Sequence, residues 1–141
     1  MLYKKSSKEL IITNLAVAIN AISGIKYVDY QRIYDQSVTA DKCPGVFIND
    51  IRIDKEKILK DITKNTWLVG LVGFVWAEAA ESVGTVMNVF MEKVKDATIT
   101  DRSRDGNAYT TDITTIETDG GNRHPQGVFV VACEIIFFSA E

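Results

Sequence analysis

The sequence predicts an α+β domain: a mixed or antiparallel sheet of about five to six strands with two main helices packed on one face. The expected order is α-β-β-β-α-β-β-β. Three observations carry this reading. Thr66 to Trp76 is an uncharged run of strand formers, apolar or small on both faces. Two stretches, near residues 9–22 and 83–94, place apolar residues at helical spacing. The last third alternates in period two between glycine-marked turns.

In chain order, Ser6-Ser-Lys-Glu9 reads as a capping box, and Ile11, Leu15, Ala18, Ile19 and Ile22 form one stripe after it. Gly24 supplies a residue able to turn left-handed and end the helix. Ile25 to Tyr34 alternates as a strand, and a polar loop closed by Pro44-Gly45 follows. Val46 to Ile53 is a second strand with a bend near Asn49-Asp50. Asp54 to Asn65 is charge-dense and reads as a solvated connection of undecided conformation. Thr66 to Trp76 is then the central strand, too short for a membrane span; a buried helix is the competing reading, which Gly70, Gly73 and the Val and Trp content disfavour. Glu78 to Lys95 has Val83, Val86, Met87, Phe90 and Val94 on one face, with Glu78 and Glu81 at the start and Lys93 and Lys95 at the end. Met87, Phe90 and Met91 read as core packing. Ala97 to Asp101 is expected as a short strand, Asp105-Gly106 as a turn, and Tyr109 to Thr118 as a half-exposed strand. Val128 to Ser139 closes the sheet, with Phe129, Val131, Cys133, Ile135 and Phe137 on one apolar face.

At 141 residues the chain reads as one domain, 1–141, able to bury a core without disulfide or metal staples. The apolar and charged fractions, 46% and 25%, are those of an ordinary soluble globular protein. The basic start lacks a signal-peptide core. Cys43 and Cys133 read as reduced, buried thiols of a cytoplasmic protein. A net charge of −3 gives no reason to expect a general nucleic-acid binder. The charge is polarised: residues 1–34 carry Lys4, Lys5, Lys8, Lys26 and Arg32 against Glu9 and Asp29, whereas residues 101–141 are acidic. Ends of opposite sign suit head-to-tail contact between copies, and equally suit an ordinary solvated surface.

No catalytic constellation is legible. His124, the single histidine, lies in a glycine-rich loop with no nucleophile or orienting acid proposed beside it. No metal spacing of Cys, His or Asp occurs, and Asp101 to Gly106 lacks the alternating ligands of a calcium loop. Gly70-x-x-Gly73 and Gly120-Gly121 are not phosphate loops. Arg102, Arg104 and Arg123 are the cluster that could meet a phosphate backbone, but Asp101, Asp105 and Asp119 share their loops. Asp112 and Glu117, five apart on a strand, are expected on opposite faces, unpaired for acid–base work. Neither an enzyme nor a cofactor is expected. Two helices cannot shield both faces of such a sheet, so the second face is expected to be buried in a homo-oligomer.

From end to end the layout resembles the tail terminator (tail completion) proteins of long-tailed bacteriophages. The resemblance rests on the amphipathic helix ending in Ile22-Ser-Gly-Ile-Lys-Tyr-Val and on Asp41-Lys-Cys-Pro-Gly-Val-Phe-Ile. It continues through Trp67-Leu-Val-Gly-Leu-Val-Gly-Phe-Val, a helix reaching Val94-Lys-Asp-Ala, and Glu117-Thr-Asp-Gly-Gly-Asn-Arg-His-Pro-Gln-Gly before the final strand. It implies a homo-oligomeric ring, usually hexameric, at the head-proximal end of the tail tube. The ring would end tube polymerisation and offer a surface to head–neck (connector) proteins and, in contractile tails, to the sheath. DNA would pass through its lumen without sequence reading. No membrane partner is implied, and the place of action is the neck end of the virion tail after assembly in the host cytoplasm. The residues expected at the subunit contact are Trp67, Val72, Phe74 and Trp76 on the central strand with Arg102, Arg104 and Arg123 in the loops. The alternatives are another neck or tail component, such as a neck adaptor or tube-like subunit, and a small-molecule-binding or enzymatic α+β dimer.

Overall fold

The structure, a computed structural model, describes residues 7–30, 39–78, 82–120 and 125–140. Helix α1 (Ser7–Asn20) is followed by strand β1 (Tyr27–Tyr30), a single 3-10 turn (Ala40–Lys42), and strands β2 (Gly45–Leu59) and β3 (Ile62–Trp76). Helix α2 (Val83–Thr100) and strands β4 (Thr110–Thr118) and β5 (Gln126–Ala140) complete the chain. The sheet has five strands in the order β1-β2-β3-β5-β4. β1 runs parallel to β2 and every other pairing is antiparallel, so the sheet is mixed. β3 lies in its middle, as its two-sided apolar character predicts.

Both helices pack on one face. Ile11, Leu15 and Ile19 of α1 and Met87, Phe90 and Val94 of α2 meet the odd-numbered side chains of the central strands: Trp67, Val69, Leu71 and Val75 of β3, and Phe129, Val131, Cys133 and Ile135 of β5. Gly24, at φ +85°, releases the chain from α1, a conformation a Cβ would strain. Ser82 caps α2 by accepting from the Thr85 backbone N–H at 3.4 Å. Gly73 serves a different purpose: a Cβ there would lie 2.1 Å from Cζ of Phe129. Its absence lets that ring cross β3 and meet Phe90, with the ring centroids 5.8 Å apart.

Three expectations need correction. The charge-dense stretch 54–65 is solvated but is more than a connection; it is the end of a long β2–β3 hairpin, with Asp54, Glu56 and Lys57 opposite Thr66, Lys64 and Thr63. Its charges are compatible with strand because most of these side chains reach solvent, and Glu56 opposite Lys64 is an opposite-charge cross-strand pair. Residues 97–100 form the last turn of α2 instead of a strand. There the Thr98 and Thr100 hydroxyls donate to the carbonyls of Val94 (2.8 Å) and Asp96 (2.5 Å), which satisfies them within the helix, and burial of Thr98 beside Val94 overrides the β preference of two threonines. Asp112 and Glu117 share one face, because a bulge between Ile113 and Thr115 inserts a residue and reverses the alternation. The Ser6 cap, Glu81 and the strand expected over 31–34 lie outside the described residues.

Two glycine substitutions test this packing. Gly73→Val is expected to cost about 1–3 kcal/mol or more through overpacking against Phe129. Gly84→Ala, in the first turn of α2 with only Ser82 Oγ at 3.7 Å from the new carbon, should raise stability by about 0.5–1 kcal/mol. Urea unfolding midpoints at constant m-value check both.

Candidate assembly surface

The face opposite the helices is built by the even-numbered residues of β3 and β5 with their neighbours in register. At one end Phe47, Val72 and Val130 lie side by side across β2, β3 and β5, and Gly45, Phe74 and Val128 form the next row. Phe47 and Phe74 pack with tilted rings, 5.0 Å between centroids, and Tyr27 of β1 lies against both at 5.7 and 6.4 Å. Together with Cys43 they form a second apolar cluster, separate from the helix-side core. Further along, Leu68, Ala132 and Ile136 are half-buried, and Ile51, held out by a bulge beside Gly70, and Phe138 are exposed. No described helix covers this face. Its strand charges are Arg52 and Lys64 against Asp29, Asp54, Glu56, Asp112, Glu117 and Glu134, so the apolar rows carry an acidic rim.

The residues expected at a subunit contact fall in different places. Val72 and Phe74 are on this face; Phe74 is wholly buried by the chain's own Tyr27 and Phe47, and Val72 is 8% exposed. Trp76, at the end of β3, is 36% exposed. Trp67 is on the opposite face and fully buried in the helix-side core, and so offers no surface. Its indole N–H donates to Asp50 Oδ1 at 2.8 Å, while Lys8 of α1 bridges to Asp50 Oδ2 at 2.5 Å and lies over the indole ring. Odd-even parity along β3 separates Trp67 from Val72; composition alone could not.

The arginines do not form a phosphate site. Arg102 pairs with Asp112 at 2.6 Å and donates to the Thr111 carbonyl at 3.0 Å. Arg104 is fully buried beneath the end of α2, where its guanidinium donates to the carbonyls of Thr98 (2.6 Å) and Asp101 (2.8 Å from Nε). It thereby satisfies carbonyls that a helix end leaves without partners. Burial pulls its pKa down, opposed by the neighbouring Asp101. The Asp101 carboxylate, held below the usual range by the Ser103 hydroxyl and by backbone N–H groups, fixes the turn in which Arg104 and Asp105 take positive φ. Arg123 and His124 lie outside the described residues. Among the described residues no three His, Cys, Asp or Glu side chains gather as a metal-binding group, and no helix is long and apolar enough to cross a membrane. Cys43 and Cys133 are free thiols, as expected. Burial pushes them up to about 11 and about 12 respectively.

No family model and no curated protein matches the chain. Among solved structures it is similar to a chain of the virion of a native gene transfer agent particle. The TM-score is 0.53 at 9% identity, over 92% of each chain. The two share a fold from end to end.

The thiols give a pH prediction. Unfolded cysteines lose their protons from about pH 9 upward, whereas the fold keeps Cys43 and Cys133 protonated to about 11 and about 12. Above pH 9 the unfolded state therefore binds fewer protons, and stability falls as pH rises by up to about 1.4 kcal/mol per pH unit for each thiol. The slope should be shallower in Cys133→Ala, measured by urea unfolding from pH 8 to 10.5. Alkylation of the native protein at pH 8 should be far slower than that of the unfolded chain.

Proposed function

We propose that this protein is a structural component of a phage-like virion, a ring-forming subunit at the head-proximal end of the tail tube. Such a ring, six-fold in the proteins it resembles, would end tube growth and present a surface to head–neck proteins. The observation that carries the reading is the open sheet face: apolar rows at the centre of the sheet have no described helix over them and call for a protein neighbour. The shared fold with a virion chain supports it, as does the layout of the sequence. In this reading the chain assembles and does not turn over a substrate. An acidic chain of net charge −3 suits a lumen through which DNA passes without being gripped.

Native mass spectrometry of the purified chain tests this first. A closed ring of about six copies is expected, whereas a dimer with a ligand-dependent thermal shift would favour the small-molecule-binding alternative. Added to polymerising tail-tube subunits, the ring should shorten the tubes and appear at one end by electron microscopy. A chain that polymerises into tubes by itself would be a tube subunit instead.

A further inference from the structure

The β2–β3 hairpin and the far end of the open face are unlike each other, and they fit each other. At the hairpin tip Ile58, Leu59 and Ile62 are 48%, 62% and 40% exposed. Phe138 and Tyr109 stand near the base of this tip with rings 6.0 Å apart and are also exposed. Five large apolar side chains expose on the order of 500 Å² here, the size at which a patch on a monomer marks a contact site. Residues 57–64 carry Lys57, Lys60 and Lys64 against the single acid Asp61. At the other end of the sheet, a groove of about 360 Å³ is floored by Val72, Val128 and Val130 and walled by Glu117 and Asp119. Residues 110–120 include Asp112, Glu117 and Asp119 and no base. One end is therefore apolar and basic, the other apolar and acidic.

Distance decides whether this match is made within one chain or between two. Ile62 and Val72 are ten residues apart on the same extended strand, about 33 Å at 3.3 Å per residue. A tip held in β-ladder on both β2 and β3 cannot fold back over that span. Two copies stacked open face to open face about a twofold axis would oppose one acidic rim with the other. A contact between two different patches on opposite ends of one chain is heterologous, the type that closes into rings when the rotation permits.

We propose that the tip of the β2–β3 hairpin, through Leu59 and Ile62, seats in the Val72–Val130 groove of the next copy, with Lys60 against Glu117. This rests on the reading that the chain forms a ring, and it names the contact within that ring. The interface is apolar at its centre and charge-matched at its margin, the arrangement that gives both affinity and orientation.

The test uses the full chain carrying Leu59→Cys and Val130→Cys together, treated with a short bismaleimide; the native thiols are buried and kept protonated, so the new ones react first. A ladder of cross-linked subunits is expected from the double variant, with no ladder from either single variant. Lys60→Glu should raise the concentration at which rings dissociate at least tenfold, and adding Glu117→Lys should restore it. Both positions are exposed, so the far-UV circular dichroism and Tm of the dissociated subunit, read below the concentration at which rings form, should stay unchanged. Intact rings without cross-links, or cross-linking of Leu59→Cys alone (tip meeting tip), would overturn this contact and leave the ring reading standing. A wild-type chain that stays monomeric at high concentration would overturn both.

Discussion

The constraint on which the rest of this structure depends is that β3 must be shielded on two faces, while α1 and α2, the helices among the described residues, are both placed on one of them. Trp67, Val69, Leu71 and Val75 point toward α1 and α2 and are fully or almost fully buried. Val72 and Phe74 point the other way, where the cover given by the described residues is local: the rings of Tyr27 and Phe47 pack tilted against Phe74, with Cys43 beside them. That cluster shelters the β1-side half of the rear face. Toward β5 the same rows end in half-buried valines and an acidic edge. Burial of apolar surface drives both folding and association at roughly 25 cal/mol per Å², so a face that folding leaves partly uncovered retains a drive to associate.

Small irregularities convert a regular sheet into a particular surface. The bulge near Thr114 moves Glu117 onto the same face as Asp112, which concentrates acid along one border of the sheet. A second bulge, between Asp50 and Arg52, turns Ile51 outward over Gly70 while keeping Ile53 beside the helix-side core. Buried Arg104 closes the end of α2 and fixes the turn that sends the chain into β4. Its full burial leaves it no part in binding an outside anion, and Arg102 is already paired across that turn with Asp112. The surface that results is specific in charge and shape, without a cleft of converging acids and bases among the described residues.

Much of the architecture is legible in the amino-acid sequence because it depends on local rules. The α1 stripe with its terminal glycine, the apolar face of α2, the uncharged middle strand and the odd-numbered face of β5 all follow from periodicity and turn chemistry, and the structure bears each out. The two-helix, one-face arrangement follows from counting what is available to cover a sheet.

What only the tertiary structure decides is everything that depends on register and on partners distant in sequence. Residues 54–65 are polar enough to be a loop and become strand because β5 pairs with the length of β3, from Ile62 opposite Ala140 to Trp76 opposite Gln126. Residues 97–100 favour a strand by composition and are helical where Thr98 is fully buried and the buried Arg104 guanidinium takes its carbonyl at the end of α2. A bulge reverses the alternation in β4: Ile113 and Ile116, three apart across the Thr114-Thr115 doublet, face the same side, and pairing with Cys133 and Val131 decides that this spacing is a bulge. Trp67 and Val72 belong to one apolar run in sequence, yet strand parity sends the first into the core and the second toward the open face. Local sequence fixes which segments are amphipathic; cross-strand hydrogen bonding fixes which side each residue faces, and with it the surface available for assembly.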